Sequence, residues 1–351
     1  LARGWPGAAV AETSRRGWLL RLDTDDGRSG FGECAPLPSH GSETHEKGEQ
    51  ALHDWCAALA GLEVDAAQVA LDAPASFAAP AARSAVECAL LDLAAQAASV
   101  PLYRLLAPAA TAEVAVNALA GDAVSTTPAQ IDALLAAGFT VIKLKLGRDD
   151  AARELAALQA LATRLPAGVQ LRLDANRSWD AATAGRMLSA LAQLPVESVE
   201  EPLAVTDPGL LRDLQRGLPY ALAIDESWRE LDQEEFFSAP PVRRLVLKLA
   251  GQGGLLPALR TAQRAKAAGV DCVVTTGIDS ACGTLAAAHL AAVLDNGLAH
   301  GLATADWLEE TFGEMPAFAG ETLTLPARAG LGLIRRSNRR ADRGADRTRH
   351  R

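Results

Sequence analysis

The sequence lacks the features of a membrane or exported protein. No run of about 18 apolar residues is free of charge in the 351-residue chain, so we expect no membrane span. The opening segment, LARGWPGAAVAETSRRGW, has no sustained apolar core, so we expect no signal peptide. These absences predict a cytoplasmic protein without a membrane partner.

Cysteine and histidine are too scattered for the sites they commonly form. The five cysteines are odd in number and include no C-x-x-C pair, which predicts free thiols in a reducing cytosol. None of the six histidines stands at metal-ligand spacing from another, so we expect no histidine-based zinc site.

Positive charge is scarce outside the carboxyl terminus. The net charge is −9, but the last 17 residues hold eight Arg against two Asp, so the rest of the chain carries −15. The terminal segment has no apolar periodicity, and we expect 329–351 to be a disordered, Arg-rich tail. The acidic body argues against nucleic acid as a partner.

Short apolar strands recur along the remaining chain. One marker residue per strand gives steps of 23 to 29 residues: Asn117, Lys145, Asp174, Glu200, Asp225, Lys248, Thr275 and Thr304. Ala- and Leu-rich segments with helical spacing separate these strands. The pattern predicts a (β/α)8 TIM-type barrel over 109–328. A doubly wound open sheet is the alternative, but no phosphate-type Gly fingerprint follows the first strand.

Residues 1–108 have a different pattern, which predicts an α+β domain. Two strands flank a turn at Asp26 and Gly27, within GWLLRLDTDDGRSGFGECAPL. Two helices follow, in ETHEKGEQALHDWCAALAG and ARSAVECALLDLAAQAAS.

Charged residues stand at the ends of five successive barrel strands, where such barrels place their catalytic groups. In chain order they are Lys143 and Lys145, then Asp174, then Glu200 and Glu201, then Asp225 and Glu226, and finally Lys248. Three neighbouring strands therefore each offer a carboxylate, and the strands on either side offer lysine.

Three acidic side chains without histidine or cysteine are the ligand set of a hard divalent cation. We expect one Mg²⁺ ion, with Mn²⁺ as an alternative, and a small-molecule carboxylate as substrate. Lysines near such an ion should have depressed pKa values, which suits one of them to act as a base.

A salt-bridge network without catalytic function would explain any single one of these charges. Arg172, which faces inward two residues before Asp174, fits such a network, and so does Lys143. The order Lys, Asp, Glu, Asp, Lys at successive strand ends favours a catalytic site.

The segments KLKLG, RLDANRSW, VEEPL, IDES and LVLKL resemble the enolase superfamily in its muconate-lactonizing-enzyme subgroup. This resemblance implies that the α+β domain is a capping domain. It implies Mg²⁺ ligands at Asp174, Glu200 and Asp225, and acid/base lysines at Lys145 and Lys248. It further implies substrate-binding or supporting positions at Lys143, Asn176, Glu201, Thr275, Thr276 and Gly277.

Other segments resemble the o-succinylbenzoate synthases, a dehydratase family of menaquinone biosynthesis: GFGECAPLPSHGSET, VVTTGIDSACG and GLATADWL. The implied reaction is a syn dehydration of 2-succinyl-6-hydroxy-2,4-cyclohexadiene-1-carboxylate to 2-succinylbenzoate. Lys145 would take the α-proton and protonate the departing hydroxyl. Lys248 would stabilise the enediolate, whose oxygens would bind Mg²⁺.

Rival activities of the superfamily differ in their requirements. Dipeptide epimerases carry a D-x-D near the eighth strand, where this chain has ATAD, and mandelate-type racemases need a histidine on strand seven. N-acylamino acid racemase, or another epimerase or cycloisomerase, remains open. A non-catalytic binding barrel is a further alternative, although no ligand or lysine is lost here.

Overall fold

A computed structural model of the chain describes residues 14–304, 307–309 and 311–335. No helix in these ranges is long and apolar enough to cross a membrane. The strands are β1 (Trp18–Asp23), β2 (Ser29–Cys34), β3 (Glu113–Ala115), β4 (Ala118–Asp122), β5 (Val141–Lys145), β6 (Gln170–Asp174), β7 (Val196–Glu200), β8 (Ala221–Ile224), β9 (Arg244–Leu247), β10 (Asp271–Val274), β11 (Ala317–Ala319) and β12 (Thr322–Thr324).

Four of the described α-helices lie in the amino-terminal part, and the others alternate with the strands of the parallel sheet. They are α1 (His45–Leu59), α2 (Val64–Leu71), α3 (Pro80–Ala97), α4 (Leu102–Leu106), α5 (Pro128–Ala136), α6 (Ala151–Ala162), α7 (Ala181–Leu191), α8 (Pro208–Arg216), α9 (Gln233–Ser238), α10 (Leu249–Gln252), α11 (Leu255–Ala267) and α12 (Ala281–Leu294). Short 3-10 helices cover Pro38–His40, Pro74–Ala78 and Glu226–Glu230.

The amino-terminal part packs a two-stranded antiparallel hairpin against helices, as predicted. Strands β1 and β2 pair in register around the Asp26–Gly27 turn, and β2 lies directly on α3. A side chain at Gly30 or Gly32 would overlap the backbone of α3 at Ala89 or Ala85. The glycines of GFGE therefore allow the close approach of the hairpin to this buried helix.

The carboxyl-terminal half is built on a parallel sheet, seven-stranded within the described residues, in the order β10-β9-β8-β7-β6-β5-β4. The strands are apolar because helices cover the outside of the sheet and side chains fill the inside. Side-chain oxygens cap several helices after the strand ends: Thr127 for α5, Asp150 for α6, Asp180 for α7 and Asp207 for α8. These caps fix the loops that carry the strand-end residues.

The first and last barrel strands differ from the sequence pattern. The apolar run at 114–119 divides into β3 and β4, and β3 joins β11 and β12 in a separate antiparallel sheet. At the predicted eighth strand, His300 and Gly301 form single parallel bridges to Val116 and Thr275. The chain is an α/β protein with a curled parallel sheet, and the complete eight-stranded barrel stays a prediction.

Part of the predicted tail packs against the amino-terminal half. Gly330 bridges Pro101, and the Leu331 N–H donates to Asp92 Oδ1 at 2.8 Å. Residues 336–351, with most of the arginines, lie outside the described residues.

Candidate active site

The predicted site residues lie side by side at the carboxyl ends of the strands. In the parallel register Lys145 pairs with Asp174, and Asp174 pairs with Glu200. Paired residues of parallel strands point to the same face, so these three side chains share one level inside the barrel. Lys143 lies one layer deeper, Asp225 follows β8, and Lys248 follows β9.

The lysines bind the carboxylates directly. Lys143 Nζ donates to Glu200 Oε2 at 2.6 Å and lies 3.0 Å from Asp174 Oδ2. Lys145 Nζ lies 3.6 Å from Asp174 Oδ2, and Lys248 Nζ donates to Asp225 Oδ2. The structure thus brings the five strand-end residues of the predicted order, and Lys143, into one buried group.

The carboxylates raise the pKa of two of the lysines. Burial alone would lower the pKa of Lys143, but the carboxylates of Asp174 and Glu200 outweigh it and raise the pKa. Burial also opposes the charge of Lys248, yet Asp225 raises its pKa. Both shifts arise because the carboxylates contact the ammonium groups directly. A depressed lysine pKa beside a bound divalent cation stays a prediction.

The acids of the strand ends differ in the direction of their pKa shifts. Burial opposes ionisation of Asp174, but Lys143 and Lys145 keep its pKa below the ordinary value. Burial raises the pKa of Glu200 to about 7, with a further contribution from Asp174. Burial and the neighbouring Asp225 raise the pKa of Glu226 to about 8. Repulsion from neighbouring acids therefore adds to burial in raising the pKa of Glu200 and Glu226.

Glu201 supports the loop after β8. Its Oε1 accepts hydrogen bonds from the backbone N–H of Asp225 (2.6 Å) and of Ser227 (2.9 Å), and from the Ser227 hydroxyl (2.7 Å). Its backbone φ of 46° lies in the left-handed region, so the chain turns at Glu201, directly after Glu200. Glu201 thereby fixes the position of Asp225.

Asn176 and the threonines contribute neutral polar groups. Asn176 Oδ1 accepts from Lys145 Nζ at 3.2 Å, and the hydroxyls of Thr276 and Thr304 lie 2.9 Å apart. The Thr275 hydroxyl is buried and has no hydrogen-bond partner among the described residues. Thr275 and Thr276 line the cavity over the lysines, whereas Gly277 borders a neighbouring cavity.

The loop that carries the threonines is anchored from the amino-terminal half. The Glu33 carboxylate accepts from Ser280 N–H (2.9 Å), the Ser280 hydroxyl (2.5 Å) and Gly283 N–H (2.8 Å) at the start of α12. Arg15 Nε donates to Gly277 O at 3.0 Å. Between these anchors Ile278 has φ 60°, which is a costly conformation for a β-branched residue, and it borders the cavity.

We call the space over the lysines the catalytic cavity. Its volume is about 70 Å³, and its charged lining residues are Lys143, Lys145, Asp174, Glu200, Asp225 and Lys248. His40, from the loop after β2, also lines this cavity, and burial lowers its pKa to about 4. The remaining wall is neutral and includes Leu119, Ala303 and Thr304.

A second charged cluster lies deeper in the barrel, and we call it the floor cluster: Asn117, Arg172, Glu197, Arg244 and His300. Arg172 donates to both Glu197 oxygens (3.1 and 3.0 Å), to Asn117 Oδ1 (3.0 Å) and to Ala299 O (2.8 Å). Arg244 also donates to Glu197. A register shift beside Leu171 leaves Glu197 unpaired between Val196 and Ser198, which brings it within reach of both arginines.

The donor set of the strand ends fits a divalent cation. Asp174, Glu200 and Asp225 offer only oxygen atoms, and they are the three acids that the strand-end lysines contact. In the side-chain arrangement described, no group of three His, Cys, Asp or Glu residues is close enough to hold one ion. The ammonium groups of Lys143 and Lys248 lie on the carboxylates at the positions that a cation would compete for.

The sequence offered His40, in the loop after β2, as a possible substrate contact, and the structure places it in the walls of two cavities. Arg229 and Ile278 were not predicted as site residues. They lie four residues beyond Asp225 and beyond the end of β10, and the loops that follow these strands bring them to the cavities. Asp306, in the ATAD segment, lies outside the described residues.

Two family descriptions match most of the chain. "Mandelate racemase / muconate lactonizing enzyme, N-terminal domain" matches residues 8–107, and "Enolase C-terminal domain-like" matches residues 126–336.

Individual relatives have different activities. A hydrophobic dipeptide epimerase of Roseobacter litoralis is 33% identical over 78% of this chain and 79% of the relative. An o-succinylbenzoate synthase of Klebsiella pneumoniae is 30% identical over 80% of each chain. The solved muconate lactonizing enzyme of Pseudomonas putida has a TM-score of 0.82 and 27% identity, with 92% of each chain covered.

Proposed function

This chain belongs to the enolase superfamily, in its muconate-lactonizing-enzyme subgroup, and from that premise we propose that it is a Mg²⁺-dependent o-succinylbenzoate synthase. The proposed reaction is the syn dehydration of 2-succinyl-6-hydroxy-2,4-cyclohexadiene-1-carboxylate to 2-succinylbenzoate. A C–H bond next to the substrate carboxylate and the C–O bond of the hydroxyl break, and water leaves.

The observation that carries this proposal is one cavity lined by both Lys145 and Lys248 above three carboxylates. The lysines come from opposite sides of the carboxylate strands, so a substrate between them meets an amine on each face. Asn176 Oδ1, at 3.2 Å, orients Lys145 Nζ towards the cavity. The unpartnered Thr275 hydroxyl offers a hydrogen bond to the substrate.

Asp174, Glu200 and Asp225 would hold the metal ion, because their oxygens suit Mg²⁺ and the local charge is negative. The ion would supply positive charge beside the substrate carboxylate. Glu201 holds Asp225 in place through its backbone N–H at 2.6 Å, and Lys143 contacts Glu200 and Asp174 from below.

Lys145 acts as the base and then as the acid on one face, which accounts for the syn outcome. It removes the α-proton and returns it to the leaving hydroxyl group. Lys248 stays protonated beside Asp225 and stabilises the negative charge that develops on the substrate.

An N-acylamino acid racemase is the second candidate, because the same two lysines can move a proton on opposite faces of an α-carbon. The epimerase relative at 33% identity favours this class of reaction. The described part of the strand-eight segment offers Ala303 and Thr304 to the cavity, and neither can neutralise the ammonium group of a free dipeptide. An acylated amino acid has no such group.

The test measures turnover of the cyclohexadiene carboxylate, N-succinyl amino acids and free dipeptides by the purified, Mg²⁺-loaded protein. We expect dehydration of the first, and its loss in Lys145→Ala and Lys248→Ala. Lys266→Ala, which removes an exposed lysine of α11, is the matched control. A fully active Lys145→Ala variant would refute the mechanism, and turnover of dipeptides alone would refute the assignment.

We also propose that the chain is divided into a capping domain (1–108), a barrel domain (109–328) and an Arg-rich tail (329–351). Limited proteolysis followed by mass spectrometry tests these boundaries, with first cleavage expected in the tail.

A further inference from the structure

A second, smaller cavity of about 40 Å³ opens beside the catalytic cavity, and we call it the side cavity. The two cavities share His40, Asp225 and Lys248 in their walls. A substrate that reaches Lys248 therefore lies next to the side cavity. Its volume exceeds what one water molecule needs and suits a group of a few atoms.

Arg229 borders the side cavity at the end of the 3-10 helix Glu226–Glu230. Its Nη2 donates to Gly251 O at 3.2 Å, and no carboxylate of the described residues lies within the ion-pair distance of 4 Å. The other arginine of this wall, Arg15, has partners already: it donates to Pro36 O (2.6 Å), Ala35 O (2.5 Å) and Gly277 O (3.0 Å).

Two glycines make room for the Arg229 guanidinium. A Cβ atom at Gly41 would lie 2.5 Å from Nη1, and one at Gly251 would lie 3.1 Å from Nη2. Gly41 also has a φ of 82°, which favours glycine. The planar group thus lies against the loop after β2 and helix α10, and Arg229, an exposed residue, lines the side cavity.

The charges of the side cavity leave one positive charge in excess. Its charged lining residues are Arg15, Arg229 and Lys248 against Asp225 and Asp279. Asp225 pairs with Lys248, and Asp279 lies 3.8 Å from Arg15. The charge near Arg229 that comes from Glu43 is already engaged, because Glu43 accepts from the N–H groups of Ala81 (3.0 Å) and Ala82 (2.8 Å).

We propose that Arg229 binds a second carboxylate, at the far end of the substrate, so that this enzyme selects dicarboxylates. The inference rests on the proposed function for the place of the first carboxylate, over the lysines. A guanidinium fork binds a carboxylate through two parallel N–H bonds, and the side cavity holds a group of that size. The succinyl arm of the proposed substrates ends in such a carboxylate.

Equilibrium binding tests this subsite without turnover. N-succinylglycine and N-butyrylglycine differ at the terminal carboxylate, which a methyl group replaces. We expect the Mg²⁺-loaded protein to bind the succinyl compound about tenfold more tightly or better, as measured by calorimetry. Arg229→Met should abolish this preference, and Arg229→Lys should restore part of it, because lysine keeps the charge without the fork.

Arg212→Met is the matched control, since Arg212 also donates to one backbone carbonyl (Ala239 O, 2.8 Å) and does not line the side cavity. Equal binding of both compounds by the unmodified protein, or no binding of either, would overturn the proposal. A preference that survives in Arg229→Met would do the same. An equal loss for both compounds, with a lower melting temperature, would assign Arg229 a structural role only.

Turnover separates this inference from the proposed function. An Arg229-dependent preference in a protein that does not dehydrate the cyclohexadiene carboxylate supports the subsite and refutes the reaction. Dehydration without any succinyl preference refutes the subsite alone.

Discussion

The strands of the parallel sheet bury two groups of charged residues, in which the carboxyl pKa values shift in opposite directions. In the floor cluster, Arg172 and Arg244 surround one acid, and Glu197 has a pKa lowered to about 2 although burial alone would raise it. At the strand ends, acids outnumber lysines and burial raises the pKa of Glu200 to about 7. Burial opposes the ionisation of both glutamates, so the number of basic groups around each acid, rather than burial, decides whether its pKa is lowered or raised.

The difference distinguishes a structural network from a candidate binding site. Both Glu197 oxygens accept from Arg172, whose position is fixed by further bonds to Asn117 and to Ala299 O, and Oε1 also accepts from Arg244. At the strand ends, lysines bind Asp174, Glu200 and Asp225, and repulsion between the acids contributes to the raised pKa of Glu200. A network with its acid fully paired has no need of a ligand, whereas the strand ends are open to a cation.

We expect the largest effect from a substitution of Lys145, which should reduce turnover and leave stability nearly unchanged. Lys145→Met should reduce turnover about 10²- to 10⁴-fold, because it removes the proposed base. Its unfolding free energy should change little, since Lys143 still pairs with Asp174 at 3.0 Å. Steady-state kinetics and urea denaturation measure the two quantities, and a large loss of stability with normal turnover would reverse the comparison.

A substitution in the floor cluster should reduce stability rather than turnover. Glu197→Ala leaves Arg172 and Arg244 buried without their shared acid and should cost about 3–5 kcal/mol of unfolding free energy in urea at pH 7. Asp132→Ala, which breaks an exposed pair with Arg164 (2.8 Å), is the control and should cost no more than about 1 kcal/mol. A Glu197→Ala variant that keeps its stability but loses turnover would contradict the structural role.

Acid should weaken the protein through Glu197. Its folded pKa of about 2 lies below the value of 4.5 for a free side chain, so the unfolded chain takes up the proton first. The stabilisation is therefore present above pH 4.5 and is lost as the pH falls towards 2, by about 3 kcal/mol in total. Urea midpoints at pH 5, 4 and 3 should fall less steeply in Glu197→Gln than in the unmodified protein, and parallel curves would disprove the assignment.

Mg²⁺ should stabilise the folded protein through the strand-end carboxylates and not through the floor cluster. After chelation, Mg²⁺ at about 100 times its dissociation constant should add about 2.7 kcal/mol to the unfolding free energy. Calorimetric melting should show this gain in the unmodified protein and in Glu197→Gln, but not in Glu200→Gln. A gain retained by Glu200→Gln would remove Glu200 from the proposed ligand set.

Strong local patterns made much of the fold predictable from the sequence. The hairpin at Asp26–Gly27, the helices α1 and α3, and the strands β5 to β9 with charges at their ends are confirmed. The run at 114–119 was not predictable as two strands, because β3 leaves the barrel to pair with β12, some 200 residues later. Periodicity describes local spacing and does not identify the partner of a strand.

The amino-acid sequence by itself determined which residues stand at the strand ends, because side chains alternate along strands and strands recur at a regular interval. It thereby placed Lys145, Asp174, Glu200, Asp225 and Lys248 in one group. Only the tertiary structure decided the pairings within that group, the lysine pKa shifts and the position of Arg229 beside the side cavity. These depend on distances between loops remote in sequence, and electrostatic energies follow distance and burial rather than sequence spacing.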